Sequence, residues 1–304
     1  MPGLVITLTS IPPRFDKIGP TLRDLLNQSA DVSEIRLYIS KKYRRFPDVV
    51  VEPPQVPHGV KVCMTDEDFG PATKILPAVR DFHGQDVDLL FCDDDQPYDT
   101  GWAQRFLDAR KQQPACCIVE RGYDLEYRPK NHSYQITRDP AWYPRAKRRF
   151  KGLRYRLTRL MKLFASKPSP YTESGYIDIL EGYGGVMVKP EFFPPEVFDI
   201  PDILWTVDDP WLSGHLTRNK VPIWLNSNGQ NWRRPYGAHF SDRLGAFVYK
   251  DHGRLDADSA TINYFREQYG IWPDRIATEL APGHNTSTQT GIAQSGLQWA
   301  VEQQ

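Results

Sequence analysis

Along the first 120 residues, apolar positions switch repeatedly between a period near two and a period near 3.6. Leu4 to Leu8 is a β-type run closed by a turn at Pro12-Pro13, and Ile18 to Gln28 then places Leu22, Leu25 and Leu26 on one helical face. Ile35 to Ile39 and Val60 to Met64 predict two more strands, with a helix from Ala72 to Phe82 introduced by Gly70-Pro71. Asp88 to Cys92 is an apolar strand that runs directly into three aspartates. Trp102 to Gln112 is helical, and Ala115 to Val119 is the next strand. Strands alternating with helices of this length predict an α/β fold, a mostly parallel sheet with helices on both faces.

The pattern then changes. Between Asp139 and Glu173 there is no acidic residue, while Arg145, Lys147, Arg148, Arg149, Lys151, Arg154, Arg156, Arg159, Lys162 and Lys167 are basic. Leu153, Leu157, Leu160, Met161 and Phe164 recur at helical spacing, so residues 148–165 read as a basic amphipathic helix within an insertion over 128–172. Its apolar face could lie on an anionic membrane surface or pack beside the site, and its charges could hold an anionic acceptor. Afterwards Gly182 to Val188 is a Gly-rich turn entering a strand, Asp208 to Arg218 a helix, Pro222 to Leu225 a last strand and Ile262 to Tyr269 a closing helix. One domain over 1–275 is expected, with 282–304, rich in Gly, Ser, Thr and Gln, as a flexible tail.

Composition narrows the function. The 304 residues carry 38 Lys plus Arg against 38 Asp plus Glu, so the global basic excess of a dedicated nucleic-acid binder is missing. No apolar run reaches the roughly 18 residues of a membrane span. MPGLVITLTS has no basic residue before its apolar stretch and reads as a first strand, not a secretory signal. Cys63, Cys92, Cys116 and Cys117 show no metal-ligand spacing and behave as small hydrophobes, which predicts a reducing, cytoplasmic location.

Four segments carry chemistry. Asp93-Asp94-Asp95 ends a buried strand, where three unpaired carboxylates would repel one another. A divalent cation resolves that conflict: Asp93 and Asp95, on the same side of an extended segment, could share it while Asp94 points elsewhere. The structural alternative is a cap for a helix near Asp99, which needs only one carboxylate. Trp205-Thr206-Val207-Asp208-Asp209-Pro210-Trp211 places two acids at a helix start, as first-turn charges or as a general base. Before it, Glu181-Gly182-Tyr183-Gly184-Gly185 is either a close-approach wall for a ligand or a tight turn. Asp68-Phe69-Gly70-Pro71-Ala72-Thr73-Lys74 sets Lys74 at a turn suited to a phosphate.

Together these segments resemble the GT-A (Rossmann-like) fold of nucleotide-sugar-dependent glycosyltransferases, particularly small bacterial family-2-like members, over about residues 3 to 275. Leu4 to Arg14 resembles the first strand and nucleotide-binding turn. Asp68 to Lys74 is similar to a D-x-G-P-A-T-K segment, Asp93-Asp94-Asp95 to the DxD motif, Glu181 to Gly185 to an acceptor-side loop, and Asp208-Asp209 to the catalytic acid pair. The resemblance implies transfer of a sugar from a nucleoside diphosphate donor, UDP- or GDP-linked, to a hydroxyl of a glycan or glycolipid. Thr7, Arg14, Asp68, Lys74, Asp93 and Asp94 would contact the donor, and Asp93 and Asp95 would hold Mn²⁺ or Mg²⁺. Asp209, or Asp208, would act as base with inversion, and Glu181, Gly184 and Gly185 would face the acceptor. His239 and His252 are candidates for a further metal ligand. The alternatives are a retaining transferase and a non-catalytic, membrane-associated protein of the same fold. A lipid-linked acceptor would place the protein at the inner face of the cytoplasmic membrane. A sugar nucleotidyltransferase should carry a Gly-rich loop where this chain has Thr9 to Arg14.

Overall fold

The computed structural model describes residues 2–127, 134–150, 152, 169–229, 235–239 and 253–274. Its centre is an eight-stranded sheet. The strands and helices of the first half are β1 (Gly3–Thr9), α1 (Gly19–Leu26), β2 (Glu34–Ser40), β3 (Val60–Thr65), α2 (Leu76–Asp81), β4 (Val87–Phe91), α3 (Trp102–Gln112) and β5 (Cys117–Val119). After β6 (Gly122–Tyr123), which pairs with β10 (Ile179–Leu180) outside the main sheet, come β7 (Lys147–Arg148), β8 (Tyr171–Glu173), β9 (Gly175–Ile177) and, after β10, β11 (Val186–Val188). The helix Asp209–Arg218, β12 (Ile223–Leu225) and the helix Arg254–Tyr269 follow.

The sheet runs β3-β2-β1-β4-β11-β5-β12-β9. Its first four strands are mutually parallel, β11 lies antiparallel between β4 and β5, and β9 is antiparallel to β12. The expected α/β sheet is therefore present, mixed in its second half. Strand alternation sends Leu4, Ile6, Leu8, Leu90 and Met187 to one face, against Leu22 and Leu25 of α1 and Trp102 and Phe106 of α3. Val5, Leu89, Phe91, Val186 and Val188 go to the other. There they meet Leu76 and Val79 of α2, Trp211 and Leu212, and Ile262 and Phe265 of the last helix.

Two boundaries differ from the pattern. The helix expected over 72–82 divides into a 3₁₀ turn, Gly70–Lys74, and α2, because Pro77 has no N–H to return to Thr73. The closing helix starts at Arg254, eight residues early, since its first turns bury little beyond Ala257. It stops at Gly270, whose φ of +62° suits glycine.

The expected basic helix over 148–165 lies outside the described residues except at 148–150 and 152. There Arg148 is an exposed strand residue, as β7 pairs with β8. The described stalk is held inward. Arg138 pairs with Asp178 at 2.7 Å, and Arg145 bridges Asp124 and Asp178. The expected tail and His252 also lie outside the described residues. Among the described residues no helix is long and apolar enough to cross a membrane.

Candidate active site

Chain order creates the site. From β1 the chain moves outward through β2 and β3, then returns to β4 on the other side of β1. The carboxyl ends of β1 and β4 thus flank a topological switch point, where open α/β sheets have a crevice. A cavity of about 580 Å³ opens there, lined by Thr9 at the end of β1 and Arg14 after it, Asp93 to Gln96 after β4, and Asp68, Gly70, Pro71 and Lys74. Tyr183, Trp205, Asp208, Asp209 and Arg254 complete its far wall. Such a volume suits a nucleotide-sized ligand.

The three aspartates divide their work. Asp94 accepts from Ser10 Oγ at 2.5 Å and from Arg14 Nη1 at 3.0 Å. Burial, only partly offset by Arg14 and Ser10, pushes its pKa up to about 6. It is thus tied to the first turn, although it also lines the cavity. Asp93 Oδ1 accepts from Lys74 Nζ at 2.6 Å, and Asp95 Oδ1 accepts from Gln96 at 2.7 Å. Each has a second oxygen, that of Asp95 standing 3.7 Å from Arg14 Nη1. Two carboxylates are the protein share that Mg²⁺ takes when phosphate oxygens supply the remainder, so the donor set fits such an ion. Among the described residues no group of three His, Cys, Asp or Glu forms a cage. The His239 side chain lies outside them.

Lys74 organises the centre. Its ammonium lies 2.6 Å from Asp93 and 2.7 Å from Asp208, with both Lys74 and Asp208 buried. Burial works against each charge, but the two carboxylates outweigh it for Lys74, which stays protonated. Lys74 likewise outweighs burial at Asp208 and holds that carboxyl below its usual range. Asp209 behaves oppositely: burial and the adjacent Asp208 charge raise its pKa well above the usual carboxylate range. Gly182 N donates to Asp209 Oδ1 at 2.8 Å, while Arg254 Nη2 stands 3.6 Å from Oδ2. A methyl group on Gly182 would meet Lys74 Nζ at 2.5 Å, so the close approach requires glycine.

Other expected residues fall elsewhere. Thr7 is fully buried within the sheet and does not line the cavity; Thr9, two residues on, does. Asp68 lines it, pinned by Arg44 N at 2.7 Å and Gly70 N at 2.9 Å, with burial raising its pKa. Gly184 packs on Arg121 and Gly185 on Trp102, while Glu181 is half-buried. None of these three lines the cavity; their loop contributes Tyr183 instead. Trp142 and Trp224 do not line it, and Trp224 packs edge-on against Tyr176. Reasoning from sequence misses Arg254, Tyr43 and Arg45, none of which stands in a recognisable motif.

No family model matches the chain, and no curated protein matches it. Among solved structures, the crystal structure of S. aureus TarS 1-349 superposes with a TM-score of 0.36 and 13% identity. The match covers 76% of this chain and 60% of that one. The chain thus spans less than two thirds of that structure, and a superposition this distant is silent on activity.

Proposed function

We propose that this chain is a glycosyltransferase that moves a sugar from a nucleoside diphosphate donor, UDP- or GDP-linked, to a hydroxyl of a glycan or glycolipid, with inversion. The observation that carries the reading is the meeting of Asp93–Asp95 with Asp208–Asp209 in one switch-point cavity, joined through Lys74. Asp93 and Asp95 would hold Mn²⁺ or Mg²⁺, which when bound neutralises charge on the departing diphosphate. Asp209 is the base: it reaches the cavity, and its raised pKa makes it a stronger proton acceptor than an ordinary carboxylate. Asp208, buried and neutralised by Lys74, is a positioning residue that holds this ammonium beside Asp93. An acceptor on a membrane lipid would agree with the basic run between Arg145 and Lys167.

Thermal shift with UDP-, GDP-, CMP- and dTDP-linked sugars, with and without Mn²⁺, tests this. One nucleotide class should raise the melting temperature only with metal, and Asp95→Ala should abolish the rise. Ligand at 100 times its Kd adds about 2.7 kcal/mol. Silence towards every nucleotide would leave a fold without this activity, and the anomeric configuration of the product separates inversion from retention.

A further inference from the structure

Arg254 is unexpected where it stands. It opens the 16-residue helix Arg254–Tyr269, a position where the macrodipole favours acids over cations. The acid that such a start calls for is already supplied by Asp256, which accepts from Gly253 N at 3.1 Å. Core packing does not explain Arg254 either, because its side chain is 37% exposed. It lines the cavity, and its contact with Asp209 is loose: 3.6 Å, longer than a hydrogen bond. Asp209 is meanwhile fixed from the other side by Gly182 N. A guanidinium carries five donors in a planar fork that matches phosphate oxygens, more than this one carboxylate engages.

We propose that Arg254 exchanges partners: it covers Asp209 in the empty site and turns to the diphosphate when the donor binds, leaving Asp209 Oδ2 open to the acceptor hydroxyl. The proposal rests on reading the cavity as a nucleoside diphosphate site. In the transfer step the hydroxyl proton passes to Asp209 Oδ2 as the acceptor oxygen bonds to the anomeric carbon. The bond from that carbon to the diphosphate breaks, and its electron pair leaves on the diphosphate oxygen, beside Arg254. The base is thereby uncovered only when a donor is present.

A binding cycle tests the exchange. UDP and GDP are titrated calorimetrically with Mg²⁺, and uridine and guanosine serve as controls. The proteins are the full chain, Asp209→Asn, Arg254→Gln and the double variant, each with its melting temperature measured. Asparagine keeps an acceptor oxygen for Gly182 N. Asp209→Asn should tighten diphosphate binding about threefold to fivefold, the worth of a solvent-reachable ion pair. Arg254→Gln should weaken it about tenfold or more, and the gain from Asp209→Asn should vanish in its background. Nucleoside binding should not change. Should Arg254→Gln melt early, Arg254→Lys takes its place in the cycle, with a smaller loss expected. An equal gain with and without Arg254 would reduce the effect to charge repulsion by Asp209 and overturn the exchange, as would no change in either single variant. If neither diphosphate binds the unaltered protein, the reading of the cavity falls, and the exchange with it.

Discussion

Asp208 and Asp209 are neighbours in sequence with opposite electrostatic fates. Lys74 lies 2.7 Å from Asp208 and keeps it charged, so the charge of Asp208 then makes ionisation of Asp209 harder. A catalytic base must be unprotonated, so activity should fall as pH drops through the raised pKa of Asp209. The acid limb of the kcat profile should therefore lie above the ordinary carboxylate range near 4. Asp209→Asn should lower kcat by about 10²- to 10⁴-fold with donor binding retained; steady-state kinetics beside the calorimetry checks both. The acid pair was legible in sequence as two carboxylates at a helix start. Which of them ionises was not, because Lys74 lies more than 130 positions away and meets Asp208 only through the fold.

The Asp209–Arg218 helix and the Arg254–Tyr269 helix carry the two partners of that exchange, and they touch at Gly214. A methyl group there would stand 2.3 Å from the Phe265 ring, which is itself fully buried against Trp211. Gly214→Ala must part the helices or displace the ring, at a cost of about 1–3 kcal/mol. A lowered melting temperature together with weaker diphosphate binding is the expected outcome, since Asp209 and Arg254 would lose their spacing. The apolar period revealed the Asp209–Arg218 helix almost to the residue. It showed only the last two turns of the final helix, whose first turns present Leu255 to solvent and therefore lack an apolar stripe. Pro77 was readable as a helix breaker within 72–82, and the competing apolar spacing around it hid the signal.

The cavity draws its lining from segments as far apart in sequence as Thr9 and Arg254, so the site exists only once the whole fold has closed. The parallel half was legible because each strand is five residues or longer, enough to stand out as an apolar or alternating run. In the mixed half β5, β11 and β12 were legible as short apolar runs, whereas the three residues of β9 give too few alternations for a period, and the antiparallel place of β11 between β4 and β5 is set only by the fold. Acid stability depends on a group far from the chemistry. His215 is fully buried between Trp211 and Phe265, and burial, with Arg218 nearby, lowers its pKa to about 3. The unfolded chain binds that proton near pH 6.5, so the stability from a neutral His215 is present above 6.5 and is lost progressively as pH falls towards 3. The full loss is roughly 4–5 kcal/mol. Denaturant melts between pH 7 and 4 should show this slope, and His215→Phe should flatten it. Cys92 gives the molecule a clock of its own: the thiol lies fully buried beneath the three aspartates, and burial pushes its pKa upward. Such a sulfur meets an alkylating reagent only while the end of β4 is open. Its labelling rate therefore counts the openings of the site in the unmodified protein, and any molecule that settles over Asp93–Asp95 slows the count.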